Sequence, residues 1–424
     1  MTNPTTPFNW QMPTASDLVT DLPADFETFG QAVATSMADL LGGTTGQVLS
    51  KASNTDMDFT WTTANPGDIT AVTAGTGITG GGTSGAVTVS FDQANFGGGQ
   101  FAAGKNKIIN GDFGIWQRGT SFALAGSGVN NYTADRFNAQ FDGTGATCTV
   151  SQQTFTPGTA PVAGYEAAFF ARWNRSAAGS GNTLNYYKQP IEDVRTFAGQ
   201  TVTLSFWAKA DASRTLTAQI YQEFGTGGSG AVNVLSGTAS VTTSWQRFTI
   251  SATIPSISGK TIGTNNSLTL YFIMPTGVAF TFDYWGVQLE AGSTATPFQT
   301  ATGTIQGELA ACQRYYYRVT PGSQAYGTLS GYGSTANSST LFRNTFTYPV
   351  QLRTSATALD YSTLRFVDSG NATGSISNAN LLGSENGVNV GLVEFTSSGL
   401  TQHRPILVQA NNSTSAYIGF SAEL

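Results

Sequence analysis

Charge is scarce in this chain. Only 10% of its 424 residues are Asp, Glu, Lys or Arg, against about 25% in an ordinary soluble domain. Helical proteins draw heavily on Glu, Lys, Leu and Ala, so the composition argues against a mainly helical fold. The net charge is −6 and no Lys/Arg run occurs, which removes the footprint of a nucleic-acid binder. Histidine occurs once, as His403. A Ser/His/Asp or Cys/His site would have to use it, and no nucleophile-elbow sequence exists to accompany it. Cysteine occurs twice, as Cys148 and Cys312. The pair forms neither a C-x-x-C motif nor a disulfide framework, and one His with two scattered Cys excludes the common zinc sites. Both thiols are expected to be buried and free. No apolar run approaches the about 18 residues of a membrane span, so no membrane insertion is expected. Met1–Trp10 lacks the basic and apolar regions of a signal peptide, and the expectation is a soluble protein made in a cytoplasm.

What the chain does contain is glycine, 50 residues of it, with 12% aromatics and 40% hydrophobics. Small polar residues make turns and strand faces, and the aromatics supply a core that a disordered chain would lack. The length allows two to four domains. Near the start, Leu22, Phe26, Phe29, Val33, Met37 and Leu40 form a one-sided stripe at steps of three and four. Asp21 is placed to cap this helix, Pro23 lies in its first turn, and Gly42-Gly43 ends it. The stripe needs a cover, either the same helix of sister chains or the chain's own β-structure. Residues 44–104 read as short strands among glycines, with Gln47–Leu49, Met57–Trp61, Ile69–Val72 and Ala86–Phe91 as the runs, closing in a linker at Asn95–Gly104. The G-x-G-x-x-G at Gly75–Gly80 lacks the following helix and the acid about 20 residues on that a dinucleotide loop requires. Residues 105–299 hold many short β-runs separated by turns, as a sandwich requires. Residues 300–319 carry a second stripe at Ile305, Leu309, Cys312 and Tyr316, and residues 320–424 are again rich in strand patterns.

Three segments of the central block carry a resemblance. They are the N-G-D-F-G-I-W-Q-R-G opening at Asn110–Gly119, the T-L-S-F-W-A-K strand at Thr203–Lys209, and the D-Y-W-G-V-Q-L-E strand at Asp283–Glu290. In this order they resemble the jelly-roll carbohydrate-binding modules. With I-W-Q-R-G after the opening, they look like the variant found in tail fibres and minor tail proteins of bacteriophages. The G-G-T-T-G-Q-V-L segment at Gly42–Leu49 is similar to fibre shafts, and the Tyr315–Tyr317 run with the closing strand resembles fibre knobs.

The resemblance implies sites as well as a fold. Sugars are held by aromatic faces and by amide, Arg and carboxylate groups, and Trp116, Arg118, Trp173, Arg175, Tyr186, Tyr187, Gln189 and Trp245 are the candidates. The segment Tyr186–Ile191 corresponds to the one lining the concave sheet in such modules. Trp116 and Tyr187 fit core and ligand face equally; Trp207 and Trp285 read as core. Such modules often hold a structural Ca²⁺, and the matching positions are Asn110, Asp112 and Asp283, fewer than the six to eight ligands calcium takes. Tyr315, Tyr317, Tyr326, Tyr332, Tyr361 and Tyr417 make the last block tyrosine-rich, which suits recognition and strand structure alike. Glu166, Glu192, Asp193, Glu223 and Glu394 are carboxylates by type alone, and a glycosidase needs two of them about 5–10 Å apart.

The expectation is a mainly β, elongated homotrimer. An attachment or trimerisation helix (1–43) leads to a Gly-rich β shaft and linker (44–104), a jelly-roll β-sandwich (105–299), a short helix (300–319) and a C-terminal β-sandwich knob (320–424). The expected function is adhesion by a phage tail fibre or receptor-binding protein of the virion tail. It would be non-enzymatic, joined to other tail proteins through its N-terminus and bound to a host surface glycan. The alternatives are a tail-spike depolymerase with carboxylates in a subunit groove, or a purely structural fibre segment.

Overall fold

The computed structural model describes residues 4–6, 8–64, 71–75, 78–83, 85–91, 104–162, 165–333, 338–383 and 385–424. Part of the expected shaft and linker, including Ile69-Thr70, Thr76-Gly77 and Asn95–Phe101, lies outside them. The chain divides into two compact units, Met1–Ser90 and Phe91–Leu424. The architecture is mainly β with few helices.

The first unit holds helix α1 (Leu22–Ser36), a 3-10 turn (Ala38–Leu40), the hairpin β1 (Gln47–Lys51) and β2 (Phe59–Thr63), and a small sheet of β3 (Val72–Thr73), β4 (Ile78–Gly82) and β5 (Val89–Phe91). Pro23 sits in the first turn and Asp21 at the N-cap, as expected, but the Asp21 side chain makes no cap bond. The chain itself covers part of the helical stripe. Trp10 meets Phe29 edge-on at 5.9 Å, and its indole donates to Ser36 Oγ at 3.0 Å. Phe26 and Met37 are left 58% and 45% exposed. The glycine stretch runs into strand β4 and not into a helix, as its context indicated.

The second unit is built on a β-sandwich. Its strands are β6 (Ser121–Ser127), β7 (Asn131–Tyr132), β8 (Asn138–Thr154), β9 (Phe169–Ala177), β10 (Asn185–Ile191), β11 (Thr201–Ala210), β12 (Arg214–Glu223), β13 (Val232–Val241), β14 (Gln246–Thr253), β15 (Ser267–Ile273) and β16 (Phe280–Ala291). One leaf runs β13-β12-β15-β10-β8, with β7 on β8; the other runs β8-β9-β16-β11-β14, with β6 on β8. The long β8 serves both leaves: Asn138–Phe141 pair with β10, and Thr147–Thr154 pair with β9. Between them Gly143 and Gly145 adopt positive φ, which glycine alone reaches at no steric cost. Phe141, Tyr187, Leu270, Phe272, Leu216, Ile220, Leu204, Phe206, Tyr284 and Leu289 fill the interior. Trp207 and Trp285 are buried as expected, but outside that core. They lie on the outer side of the second leaf, under Phe155, Phe170 and Phe298. Gly286 permits this: its φ is +64°, and a Cβ there would stand 2.7 Å from the Trp207 ring.

Helix α2 (Ile305–Gln313) follows, capped by Thr304 Oγ1 accepting from Gly307 N. It ends sooner than expected. Tyr316 belongs to β17 (Tyr316–Val319), and Ile305 is 74% exposed, so the second stripe is not one continuous face. The remaining strands are β18 (Leu341–Thr347), β19 (Ala358–Ser362), β20 (Leu364–Asp368), β21 (Thr373–Leu381), β22 (Val390–Ser397), β23 (Ile406–Ala410) and β24 (Tyr417–Ser421). They form a β17-β24-β19 sheet and a β18-β22-β21-β20-β23 sheet. Between the sheets pack Phe342, Phe346, Phe366, Phe395, Val408, Ile418 and Phe420. Cys148 and Cys312 are buried and free, as expected.

Candidate functional site

The β12 strand of the β10-β15-β12-β13 leaf alternates strictly, and β10 and β15 alternate where they flank it. In β12, Leu216, Ala218, Ile220 and Gln222 point inward while Thr217, Gln219, Tyr221 and Glu223 point outward. In β15, Leu270 and Phe272 are buried while Tyr271 and Ile273 are half-exposed. In β10, Tyr186 and Lys188 face out, and Tyr187 and Gln189 face in. Residues directly opposite in antiparallel strands share a face. Lys188 therefore stands beside Tyr271, Tyr271 beside Gln219, and Gln219 beside Ser236.

The outcome is a row of three tyrosines across three strands. Tyr271 meets Tyr186 edge-on at 5.6 Å and Tyr221 edge-on at 5.5 Å. Polar groups hold the row from both sides. Glu223 accepts from Tyr271 Oη at 2.6 Å, Thr269 Oγ1 at 2.9 Å and Ser267 Oγ at 3.2 Å. Burial, then the Glu223 charge, push the Tyr271 phenol well above its usual range, so it stays a donor. Lys188 Nζ donates to Gln140 Oε1 at 2.9 Å and lies 5.5 Å from the Tyr271 ring centre. Its pKa is lowered by burial, which Glu223 opposes. Tyr221 Oη donates to Gln219 Oε1 and accepts from Asn233 Nδ2, each at 3.3 Å. These aromatic faces, ringed by an ammonium, a carboxylate and amides, match the chemistry that holds a sugar by its C–H face and its hydroxyls.

The structure distributes the sequence-derived candidates unevenly. Tyr186 stands in the row. Trp116, Trp173, Arg175, Tyr187 and Gln189 are 0–9% exposed, which corrects their reading as sugar contacts: a buried side chain offers no face to a ligand. Trp116 donates to Phe113 O. Tyr187 packs among Phe113, Phe137 and Trp173. Gln189 pins the opening segment through both Ile109 backbone groups. Arg175 donates to Ala178 O and Asn182 Oδ1. Arg118 is also redirected, since it pairs with Glu423 at 3.3 Å and lies 3.5 Å over the Tyr316 ring. Trp245 is half-buried beside Phe155 and Phe170, on the other leaf. Lys188, Gln219, Tyr221, Glu223 and Tyr271 went unnoticed as a set, although a tyrosine on the polar side of an alternating strand was the available signal.

The proposed calcium positions do not offer a common set of free oxygens. Asp283 accepts from Arg172 at 2.7 and 2.8 Å and has Lys209 at 3.5 Å. Asn110 is spent on the Ile115 and Asp135 backbone. Asp112 instead lines a cleft of about 190 Å³ with Tyr165, Thr304 and Glu308. The five carboxylates named by type all have partners: Glu166 takes Gly158 N, Glu192 takes Arg314 and Tyr315, Asp193 takes Arg195, Glu394 takes Arg343, and Glu223 serves the tyrosine row. His403 is exposed, at φ +67°.

Burial, then the charge of Glu308, raise the Asp112 pKa from 3.8 to about 6. An acid whose folded pKa is raised contributes stability below its unfolded value and loses it as pH rises through the folded one. The wild-type protein therefore carries a penalty above pH 6. Asp112→Asn is expected to raise stability at pH 7.5 by on the order of 1–2 kcal/mol, with the gain fading below pH 4. Denaturant melts at the two pH values check this; an equal gain at both would contradict it.

No protein-family model matches the chain, and no curated protein matches it. Solved structures similar to it include one described as "CBM4 structure and function", at 20% identity and TM-score 0.27, covering 44% of this chain and 99% of that one. Another is the xylan-binding CBM22-1 domain of Paenibacillus barcinonensis Xyn10C, at 13% identity and TM-score 0.27, covering 46% and 98%. A third is the enzymatically active domain of tailspike protein 4 of bacteriophage CBA120, at 13% identity and TM-score 0.27. That match covers 44% of this chain but only 22% of the tailspike.

Proposed function

We propose that this chain is an adhesion protein that binds a glycan on the outer face of the β13-β12-β15-β10 leaf. The observation that carries the reading is the Tyr186–Tyr271–Tyr221 row, held by Lys188, Glu223, Gln219 and Asn233. Three rings on three adjacent strands make a rigid platform, with Glu223 and Gln219 each held by more than one hydrogen bond. Binding to such a face needs neither a metal nor a nucleophile, and incubation with the bound polysaccharide would release no reducing ends.

The finer reading is a phage tail fibre or receptor-binding protein of the virion tail, attached to other tail proteins through its N-terminus and directed at a host surface glycan. It rests on the N-G-D-F, T-L-S-F-W-A-K and D-Y-W-G-V-Q-L-E segments. The homotrimer rests on α1, where no residue is fully buried and Phe26 and Met37 stay exposed. Three shallow sites on one particle would gain avidity through effective concentration. Light scattering of the full-length chain is expected to give about 133 kDa, three times 44.3 kDa. A monomer at micromolar concentration would remove the trimer and leave the platform as a single module.

A further inference from the structure

Away from the tyrosine row, the C-terminal sandwich carries a cation with no anion. Arg365 of β20 stands opposite Gln409 of β23 on one side and Ser375 of β21 on the other. It donates through Nε and Nη2 to Gln409 Oε1, at 3.2 and 2.6 Å. Gln409 is neutral. Among the described residues no carboxylate pairs with Arg365; Arg175, Arg247 and Arg353 lack one too, but each donates to a backbone carbonyl, whereas Arg365 has only the Gln409 amide oxygen. The guanidinium lies 4.2 Å from the centre of the Tyr326 ring, which is 48% exposed. Gln409 Nε2 donates to Thr328 Oγ1 at 3.4 Å, and Asn411 Nδ2 donates to Ser375 Oγ at 3.0 Å.

Two constraints fix the orientation of Arg365: the Gln409 amide and the Tyr326 ring. A guanidinium has five N–H donors in a planar fork. Gln409 takes the Nε side, which leaves the Nη1–Nη2 end open. Two parallel N–H groups at that end fit the two oxygens of a carboxylate, the geometry that makes arginine selective for planar oxyanions. Around it stand an aromatic ring for a C–H face and amides and hydroxyls for sugar hydroxyls. Adjacent strands are about 4.8 Å apart, so β21, β20 and β23 span about 10 Å, the width of one or two sugar rings. We infer that the outer face formed by Tyr326, Thr328, Arg365, Ser375, Gln409 and Asn411 is a second binding site, for a sugar that carries a carboxylate.

The test is calorimetric titration of the full chain with an oligogalacturonate tetrasaccharide and with its carboxyl-reduced counterpart. The uronate is expected to bind at least about tenfold more tightly than the reduced sugar, with an affinity that falls as salt rises. Arg365→Gln and Tyr326→Ala should each lose about tenfold or more. Tyr326 is half-exposed, so its variant decides the matter if Arg365→Gln alters the melting temperature. Tyr271→Ala lies outside this patch and should retain uronate binding, so failure of the first face and failure of the second are separable. Equal affinity for the two sugars, no uronate binding at millimolar concentration, or unchanged binding in both variants would overturn the assignment. So would displacement of the uronate by equimolar inorganic phosphate, which would mark a site for any oxyanion.

Discussion

Replacing Glu423 with alanine is expected to cost about 3–5 kcal/mol, the effect of leaving a buried charge without its partner. Glu423 is the acceptor that ties the C-terminal sandwich to the central one. Its carboxylate pairs with Arg118 and Arg136, and the Arg136 side chain is 1% exposed. The remaining contacts of Arg136 are Pro190 O at 2.6 Å and the Tyr315 ring at 3.4 Å, and neither neutralises it. The junction has other ties: Tyr132 Oη donates to Leu424 O, Gln117 Nε2 to Tyr316 O, and Arg318 Nη1 to Arg118 O. The variant should therefore fold, with a melting temperature lower by on the order of 10 °C. Glu423→Gln keeps an acceptor without the charge and should fall between wild type and alanine. A loss under 1 kcal/mol for the alanine variant would show that the junction does not depend on this ion cluster.

Tyr271→Ala is expected to weaken glycan binding by about 30-fold or more. Aromatic residues at the centre of a contact face are where truncation costs about 2 kcal/mol or more, and 1.4 kcal/mol is a factor of ten. Tyr271 touches both other rings of the row and donates to Glu223, so its removal also leaves Glu223 Oε1 without its donor while Thr269 and Ser267 still hold Oε2. Tyr271→Phe keeps the ring and loses only that hydrogen bond, and should retain most of the affinity. Calorimetry on the two variants separates stacking from hydrogen bonding. Equal losses would assign the effect to Glu223 and not to the ring.

The architecture was readable where alternation was strong. Gln47–Leu49 and Met57–Trp61 were expected as strands, and the structure has β1 and β2 there to within two residues. Alternation also held the location of the site, but not the choice of parity. Tyr186 and Tyr187 are neighbours of one type; only the pairing of β10 between β8 and β15 decides that the first faces water and the second the core. Trp173 and Arg175 look like ligand residues in isolation. They are buried because β9 lies between β8 and β16, which no local pattern announces. Arg118 was misassigned for a longer-range reason, its partner Glu423 being at the far end of the chain. Asp283 followed the resemblance towards calcium, while Arg172 across the strand pair commits it to an ion pair. The helix at residue 300 was found but overextended, because Tyr316 fits the helical stripe and the strand pairing with Ser421 equally well in sequence.

The central claim is that the tyrosine row binds a glycan. A glycan array probed with the wild-type protein and a Tyr186→Ala/Tyr221→Ala/Tyr271→Ala variant, matched for melting temperature, tests it most directly. The wild type is expected to retain a defined set of glycans and the variant to lose the members of that set that carry no carboxylate. A silent wild type, or a variant that retains the same glycans at the same intensity, would contradict it.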